Sequence, residues 1–169
     1  MYMRARKGLV LLPQEPSTFR KLTVEENLLA VLETRPPGAG PMGARVTGTL
    51  EEFGLEKLAG ALALTLSGGE RRRLEIARAM VMDPDFVLLD EPFTGIDPLS
   101  VRDLQAIIRS LRAKGIGILL TAHSVREALE ITDRAYILEG GRILKEGTPA
   151  EIISSEEVRK RYLGDEFRL

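Results

Sequence analysis

The strongest constraint on this chain is a set of apolar runs that do not alternate with polar residues. GLVLL (Gly8 to Leu12), FVLLD (Phe86 to Asp90), GIGILLTAH (Gly115 to His123) and AYILE (Ala135 to Glu139) carry Leu, Ile and Val at successive positions. A strand with apolar side chains on both faces has to be covered on both faces, as central strands of parallel sheets are. Helical patterns separate most of these runs. Strands alternating with helices define an α/β class, with a largely parallel sheet and flanking helices. After AYILE come Gly140-Gly141 and RILKEG, the pattern of a hairpin at an antiparallel edge.

Helix starts are well marked. Thr23 with Glu26, Ser67 with Glu70 and Ser124 with Glu127 each fit a capping box. Asp97-Pro98 and Thr148-Pro149 put a cap residue before a proline at the first helical position. Gly115 closes the helix that begins near Pro98. One segment breaks the pattern: RPPGAGPMGARVTG, Arg35 to Gly48, is crowded with Pro and Gly. It reads as a flexible loop between a helix ending near Glu33 and another near TLEEFGLEKL. No internal repeat or long heptad pattern is present, and 169 residues fit one domain with a core of its own.

Three of the runs end in polar residues: Gln14 after the first, Asp90 and Glu91 after the second, His123 after the third. An unpaired buried carboxylate is costly, so the adjacent pair belongs at a surface or beside a cation. Ligand sites of parallel sheets lie beyond the carboxyl ends of the strands, where the pair falls. If the strands are parallel neighbours, an amide, two carboxylates and the chain's single imidazole meet at one edge. Together they could supply a metal ligand, a base, a water-orienting group and a phosphate contact, which are the requirements of phosphoryl transfer. Taken singly, each reads equally well as an acidic turn, a hydrogen-bonded histidine or an uninformative glutamine.

A further piece is LSGGERRRLEIARAM, Leu66 to Met80. Ser67 caps a helix whose first turn contains Gly68 and Gly69. Glycine there leaves backbone N–H groups uncovered at the positive end of the helix dipole, an arrangement that receives phosphate. On its own it reads as an ordinary capping box.

Composition narrows the function classes. A net charge of −1 gives no electrostatic footprint for nucleic acid, and the absence of cysteine excludes disulfides and thiolate metal sites. The start, MYMRARKGLVLLPQEP, has basic residues before an apolar patch, but the patch ends at Leu12, too soon for a signal peptide. No apolar run approaches the ~20 residues that cross a bilayer. Any membrane contact is therefore expected through a partner.

LSGGE before a helix, then FVLLDEP, GID and a strand-ending His, in that order and spacing, resembles the nucleotide-binding domain of ABC transporters. LSGGE resembles the family's signature, FVLLDE its Walker B motif, Gln14 its Q-loop glutamine, Asp97 its D-loop aspartate and His123 its switch histidine. The resemblance implies a P-loop NTPase-like fold that binds ATP with Mg²⁺. It implies that Asp90 holds Mg²⁺ through water, that Glu91 polarises the attacking water, and that Gln14 senses Mg²⁺ and the transporter contact. By the same resemblance His123 touches the γ-phosphate. Ser67, Gly68 and Gly69 would bind a nucleotide held mainly by an opposite subunit, and Asp97 would communicate across the dimer. Partners would be transmembrane permease subunits, with dimerisation to a second copy or to a complete ATPase subunit, on the cytoplasmic face of the inner membrane. Phe19 and Arg20 would lie on the surface that meets the permease.

Within the family, RKGLVLLPQEPSTFRKLTVEENL, LSGGERRRLEIARA, GIDPLSV, GTPAEI and RYLGDEFRL look most like ATPase subunits of lipopolysaccharide exporters. Those of branched-chain amino acid importers are the nearest competitors. Two departures stand out: Ala122 in TAHS, where the exporters usually have an acidic residue, and the Pro/Gly segment in place of a helical stretch. A third is larger. A P-loop is G-x-x-x-x-G-K-[ST], and Lys7, Lys21, Lys57, Lys114, Lys145 and Lys160 precede Gly, Leu, Leu, Gly, Glu and Arg. The expectation is therefore an N-terminally truncated or split nucleotide-binding domain over residues 1–169. It would hold the Q-loop, signature, Walker B, D-loop, switch histidine and C-terminal tail, without Walker A. A non-catalytic module that offers LSGGE to a complete subunit is the alternative.

Overall fold

The computed structural model describes residues 4, 7–34 and 41–163, and these form two units, one on each side of the Thr121–Ala122 junction. The first unit runs through β1 (Leu9–Leu12), α1 (Val24–Leu32), α2 (Met42–Glu52), two 3₁₀ turns (Glu56–Leu58 and Ala63–Thr65), α3 (Gly68–Met80), β2 (Phe86–Asp90), α4 (Pro98–Ala113) and β3 (Gly117–Thr121). The strands form a parallel sheet in the order β1-β2-β3, with Leu12 beside Leu89 and Asp90 beside Thr121. One face is sealed by Leu12, Val87 and Leu89, and α3 packs against β1, α1, α2 and α4. The core behind it is built from Leu28, Leu55, Leu74, Ile76, Leu104 and Leu111, all buried.

The helix ends follow the sequence closely. Thr23 and Ser67 each close a reciprocal capping box with Glu26 and Glu70. Asp97 accepts from the Leu99 and Ser100 amides ahead of Pro98, and Gly115 ends α4 at a φ of 85° that an L side chain rarely adopts.

The second unit holds α5 (Val125–Leu129), the antiparallel hairpin β4 (Ala135–Glu139) and β5 (Arg142–Gly147), α6 (Pro149–Ser154), and α7 (Glu156–Val158) running into a π-helical turn at Arg159–Leu163. Gly140 and Gly141 both have positive φ, the two-residue turn that matches strand twist. Leu129, Ile137, Ile152 and Val158 form its core.

Three expectations need correction. AYILE does not join the parallel sheet among the described residues. It pairs with β5 alone, because the adjacent Gly-Gly turn closes a local hairpin and only Ile137 of the strand is buried. Half of the Arg35–Gly48 segment is helical: α2 starts at Met42 after an extended Pro41, while residues 35–40 lie outside the described residues. Burial of Val46 and Leu50 outweighs the helix penalty of Gly43 and Gly48, each open to space. Ser124 makes no side-chain cap hydrogen bond. Its ψ of 98° differs from 168° at Thr23 and 167° at Ser67, which turns its side chain away from the helix amides. The tail beyond Leu163 also lies outside the described residues.

Candidate functional site

The carboxyl ends of β1, β2 and β3 bring two of the three predicted polar groups together. Asp90 is the last residue of β2, and its Oδ1 accepts from Thr121 Oγ1 at 2.6 Å. Glu91 follows with a φ of 44°, a left-handed conformation that a non-glycine residue rarely takes. Its amide is held by both the carbonyl and the hydroxyl of Thr121, each at 3.1 Å. Its Oε2 accepts from Gln14 Nε2 at 3.0 Å and from Thr94 Oγ1 at 3.1 Å. Gln14 and Glu91 are thus joined across 77 residues of sequence. His123 follows Thr121 by two positions and belongs to the second unit.

Sequence reasoning missed Thr121, which reads as an unremarkable strand-former yet ties the two carboxylate-bearing residues to β3. It also missed a buried ion pair in α3. Arg72 Nη1 bonds Glu75 Oε2 at 2.8 Å, with both side chains almost fully enclosed. Arg72 also donates to the Pro13 carbonyl at 3.0 Å and the Asp90 carbonyl at 3.4 Å, while Glu75 Oε1 accepts from the Ser17 amide at 2.8 Å. The pair therefore fastens α3 to the segment carrying Gln14 and to the end of β2.

Gln14, Gly68 and Glu91 line one cleft of about 100 Å³. Gly69 faces α4 instead: a Cβ there would stand 2.3 Å from Ser100 Oγ, so this glycine is what allows the two helix starts to approach. Ser67 Oγ accepts from the Glu70 amide, and Glu70 Oε2 accepts from the Ser67 amide. The Ser67 and Glu70 amides are thus engaged within the expected capping box. Asp97 holds Ser100 through Oγ at 2.6 Å. The Ser100 hydroxyl, then backbone amides, draw the Asp97 carboxyl below its ordinary range.

Phe19 is exposed and stacks under the Arg78 guanidinium, 4.6 Å from the ring centroid. Its loop is fastened by buried Asn27, which accepts from the Phe19 amide and donates to the Phe19 and Thr23 carbonyls.

A parallel sheet whose strand ends gather a glutamine and two carboxylates beside an S-G-G-E helix start defines a nucleotide-handling α/β protein. The ABC transporter family model matches residues 2–94, and the chain belongs to that family of ATP-binding proteins. It is 53% identical, over all of its 169 residues and 70% of the relative's length, to the lipopolysaccharide export system ATP-binding protein of Acidithiobacillus ferridurans. The protein of the same name from Escherichia coli is 49% identical, again covering all of this chain and 70% of the relative. Among solved structures, cbiO1 of Clostridium perfringens, described as part of an ABC transporter complex, superposes with a TM-score of 0.82 at 25% identity. The match covers 94% of this chain and 64% of that one.

Proposed function

We propose that this chain carries the hydrolytic and signature portion of an ABC ATPase that energises lipopolysaccharide export through membrane partners. The observation that carries the reading is Glu91, held at a strained φ of 44° between Gln14, Thr94 and Thr121. Strain of that kind persists only where surrounding contacts over-determine it, and it gathers at catalytic positions. The lipopolysaccharide assignment rests on the two relatives named for that system. Membrane contact would come through permease subunits at the Phe19 and Arg20 surface, on the cytoplasmic face of the inner membrane, since no described helix is long and apolar enough to cross a membrane.

The donors fit half of a Mg²⁺–ATP site. Asp90, Glu91, the Gln14 amide oxygen and the Thr121 hydroxyl are hard oxygen ligands. Among the described residues no group of three His, Cys, Asp or Glu forms a closed cage. Mg²⁺ prefers this: one or two carboxylates, with waters and phosphate completing the shell. When bound, Mg²⁺–ATP supplies the electrophilic phosphoryl group and neutralises charge on its oxygens. Asp90 would hold the ion through water, in a position set by Thr121. Glu91 would accept the proton of the attacking water, and its hydrogen bond from Gln14 couples it to the permease-facing loop. Ser67, Gly68 and Gly69 would face the nucleotide of an opposite subunit, Asp97 would stand at the dimer contact, and His123 would contact the γ-phosphate. The phosphate cradle itself has no counterpart in the sequence.

The test is a fusion. Joining the chain to the part of the Acidithiobacillus relative that it does not span should give Mg²⁺-dependent ATP hydrolysis that Glu91→Gln abolishes. The chain alone should bind ATP weakly and turn over none. A folded fusion that binds ATP without hydrolysing it would replace this reading with the non-catalytic module.

A further inference from the structure

Asp90 ends β2, Thr121 ends β3, and the parallel register sets the two side by side. One hydroxyl makes two contacts there. Thr121 Oγ1 donates to Asp90 Oδ1 at 2.6 Å and accepts from the Glu91 amide at 3.1 Å. The Thr121 carbonyl accepts from the same amide, also at 3.1 Å. The direction of the chain is fixed, since an amide can only donate and an ionised carboxylate can only accept. Among the described residues no other side chain reaches the Asp90 carboxylate, whereas that of Glu91 is held by Gln14 and Thr94. Thr121 is exposed, so each of its hydrogen bonds replaces one to water and adds little to stability. What the hydroxyl supplies is order. It selects one rotamer of Asp90 and helps to hold the left-handed backbone of Glu91, at a φ of 44°.

We propose that Thr121 is a positioning residue, whose hydroxyl sets the Asp90 carboxylate and the Glu91 main chain together. The inference rests on the roles given to those two residues under the proposed function. With Oδ1 taken by Thr121, Oδ2 is the Asp90 oxygen left for a metal-bound water. A shift at the Glu91 amide carries through the backbone to the carboxylate that Gln14 and Thr94 hold. A misplacement of about 1 Å near reacting groups can cost about 100-fold in rate. A threonine that served only the strand would behave differently. Valine has nearly the same shape and an equal strand preference, while serine lacks the methyl group that packs on a sheet. Packing therefore ranks valine above serine at this position, and positioning ranks serine above valine.

The 169-residue chain itself carries the first test. Magnetic resonance couplings report the Asp90 χ1 rotamer, and hydrogen exchange reports the Glu91 amide. The parent should show one Asp90 rotamer and a protected Glu91 amide. Thr121→Val should average the rotamer and speed exchange by up to about tenfold, with the unfolding midpoint unchanged. Thr121→Ser should keep the parent values. The second test uses the fusion described above. There Thr121→Val should lower kcat about tenfold or more while KM for ATP stays within about twofold, and Thr121→Ser should keep most of the rate. Unchanged coupling and exchange in Thr121→Val overturn the proposal. So do equal losses in the two variants, which would make the position a matter of packing, and so does a disordered Asp90 with undiminished kcat. A parent fusion that hydrolyses no ATP counts against the hydrolytic reading alone, and the rotamer and exchange measurements then decide the positioning by themselves.

Discussion

The strand ends and the helix beside them solve the placement of charge in opposite ways. Asp90, Glu91, Gln14 and Thr121 are linked by a few hydrogen bonds at the accessible end of the sheet. Arg72 and Glu75 are enclosed, and between them they reach Pro13, Ser17 and Asp90 through backbone groups alone. The exposed cluster keeps access to water, while the buried pair fixes the backbone beside it. Charges meant to meet a ligand keep access to water, whereas charges meant to hold a shape are removed from it and must be paired.

The largest expected effect comes from breaking the buried side. Glu75→Ala leaves the Arg72 guanidinium enclosed without its carboxylate and frees the Ser17 amide, and removing one partner of a buried pair costs about 3–5 kcal/mol. Urea unfolding should show the midpoint falling accordingly. Glu91→Gly should do the reverse: relief of a left-handed backbone, worth about 1–2 kcal/mol, offsets its lost hydrogen bonds and the entropy of glycine. Stability should hold or rise by up to about 1 kcal/mol. Equal losses in the two variants would dissolve the distinction between the clusters.

How much of this was legible in the sequence follows the same division. FVLLDE announces itself because continuous apolarity ending in two carboxylates has few explanations. The capping boxes at Thr23 and Ser67 are local and were readable for that reason. Thr121 and the Arg72–Glu75 pair were not, since their roles depend on partners dozens of residues away. The start of α2 was hidden because Gly43 and Gly48 argue against a helix locally, and only burial of Val46 and Leu50 decides otherwise. The β4–β5 hairpin is legible from its Gly-Gly turn, whereas apolarity does not say whether β4 also joins the parallel sheet.

An intermediate effect separates the two glycines of the signature. A Cβ at Gly69 would collide with Ser100 Oγ and Cβ, at 2.3 and 2.8 Å, and displace the hydroxyl that Asp97 holds. Overpacking of this kind costs about 1–3 kcal/mol. A Cβ at Gly68 meets only Ile96 Cγ2 at 3.7 Å and the Gly95 carbonyl at 3.8 Å, which is ordinary contact. Gly68→Ala should therefore be neutral or raise stability, by up to about 1 kcal/mol from reduced backbone entropy. Thermal unfolding of the two variants should shift in opposite directions. A shared loss would mean that the cleft beside Gln14 and Glu91 is packed more tightly than its geometry indicates.

The smallest effect tests the helix start itself. Hydrogen bonds from the Ser67 hydroxyl, then the Ser67 amide, hold the Glu70 carboxyl below its ordinary value of 4.5. A carboxyl lowered on folding contributes stability that is fully present above its unfolded value and is lost as pH falls through the folded one. Glu70→Gln keeps an acceptor for the Ser67 amide but removes the charge that favours the positive end of α3, a change of a few tenths of a kcal/mol. Unfolding measured at pH 7 should show that small loss. The gap to the parent should close as the solution is taken below pH 4.5, because the parent then loses the same charge. A gap that persists or widens in acid would show that hydrogen bonding, and not the charge of Glu70, secures the signature helix.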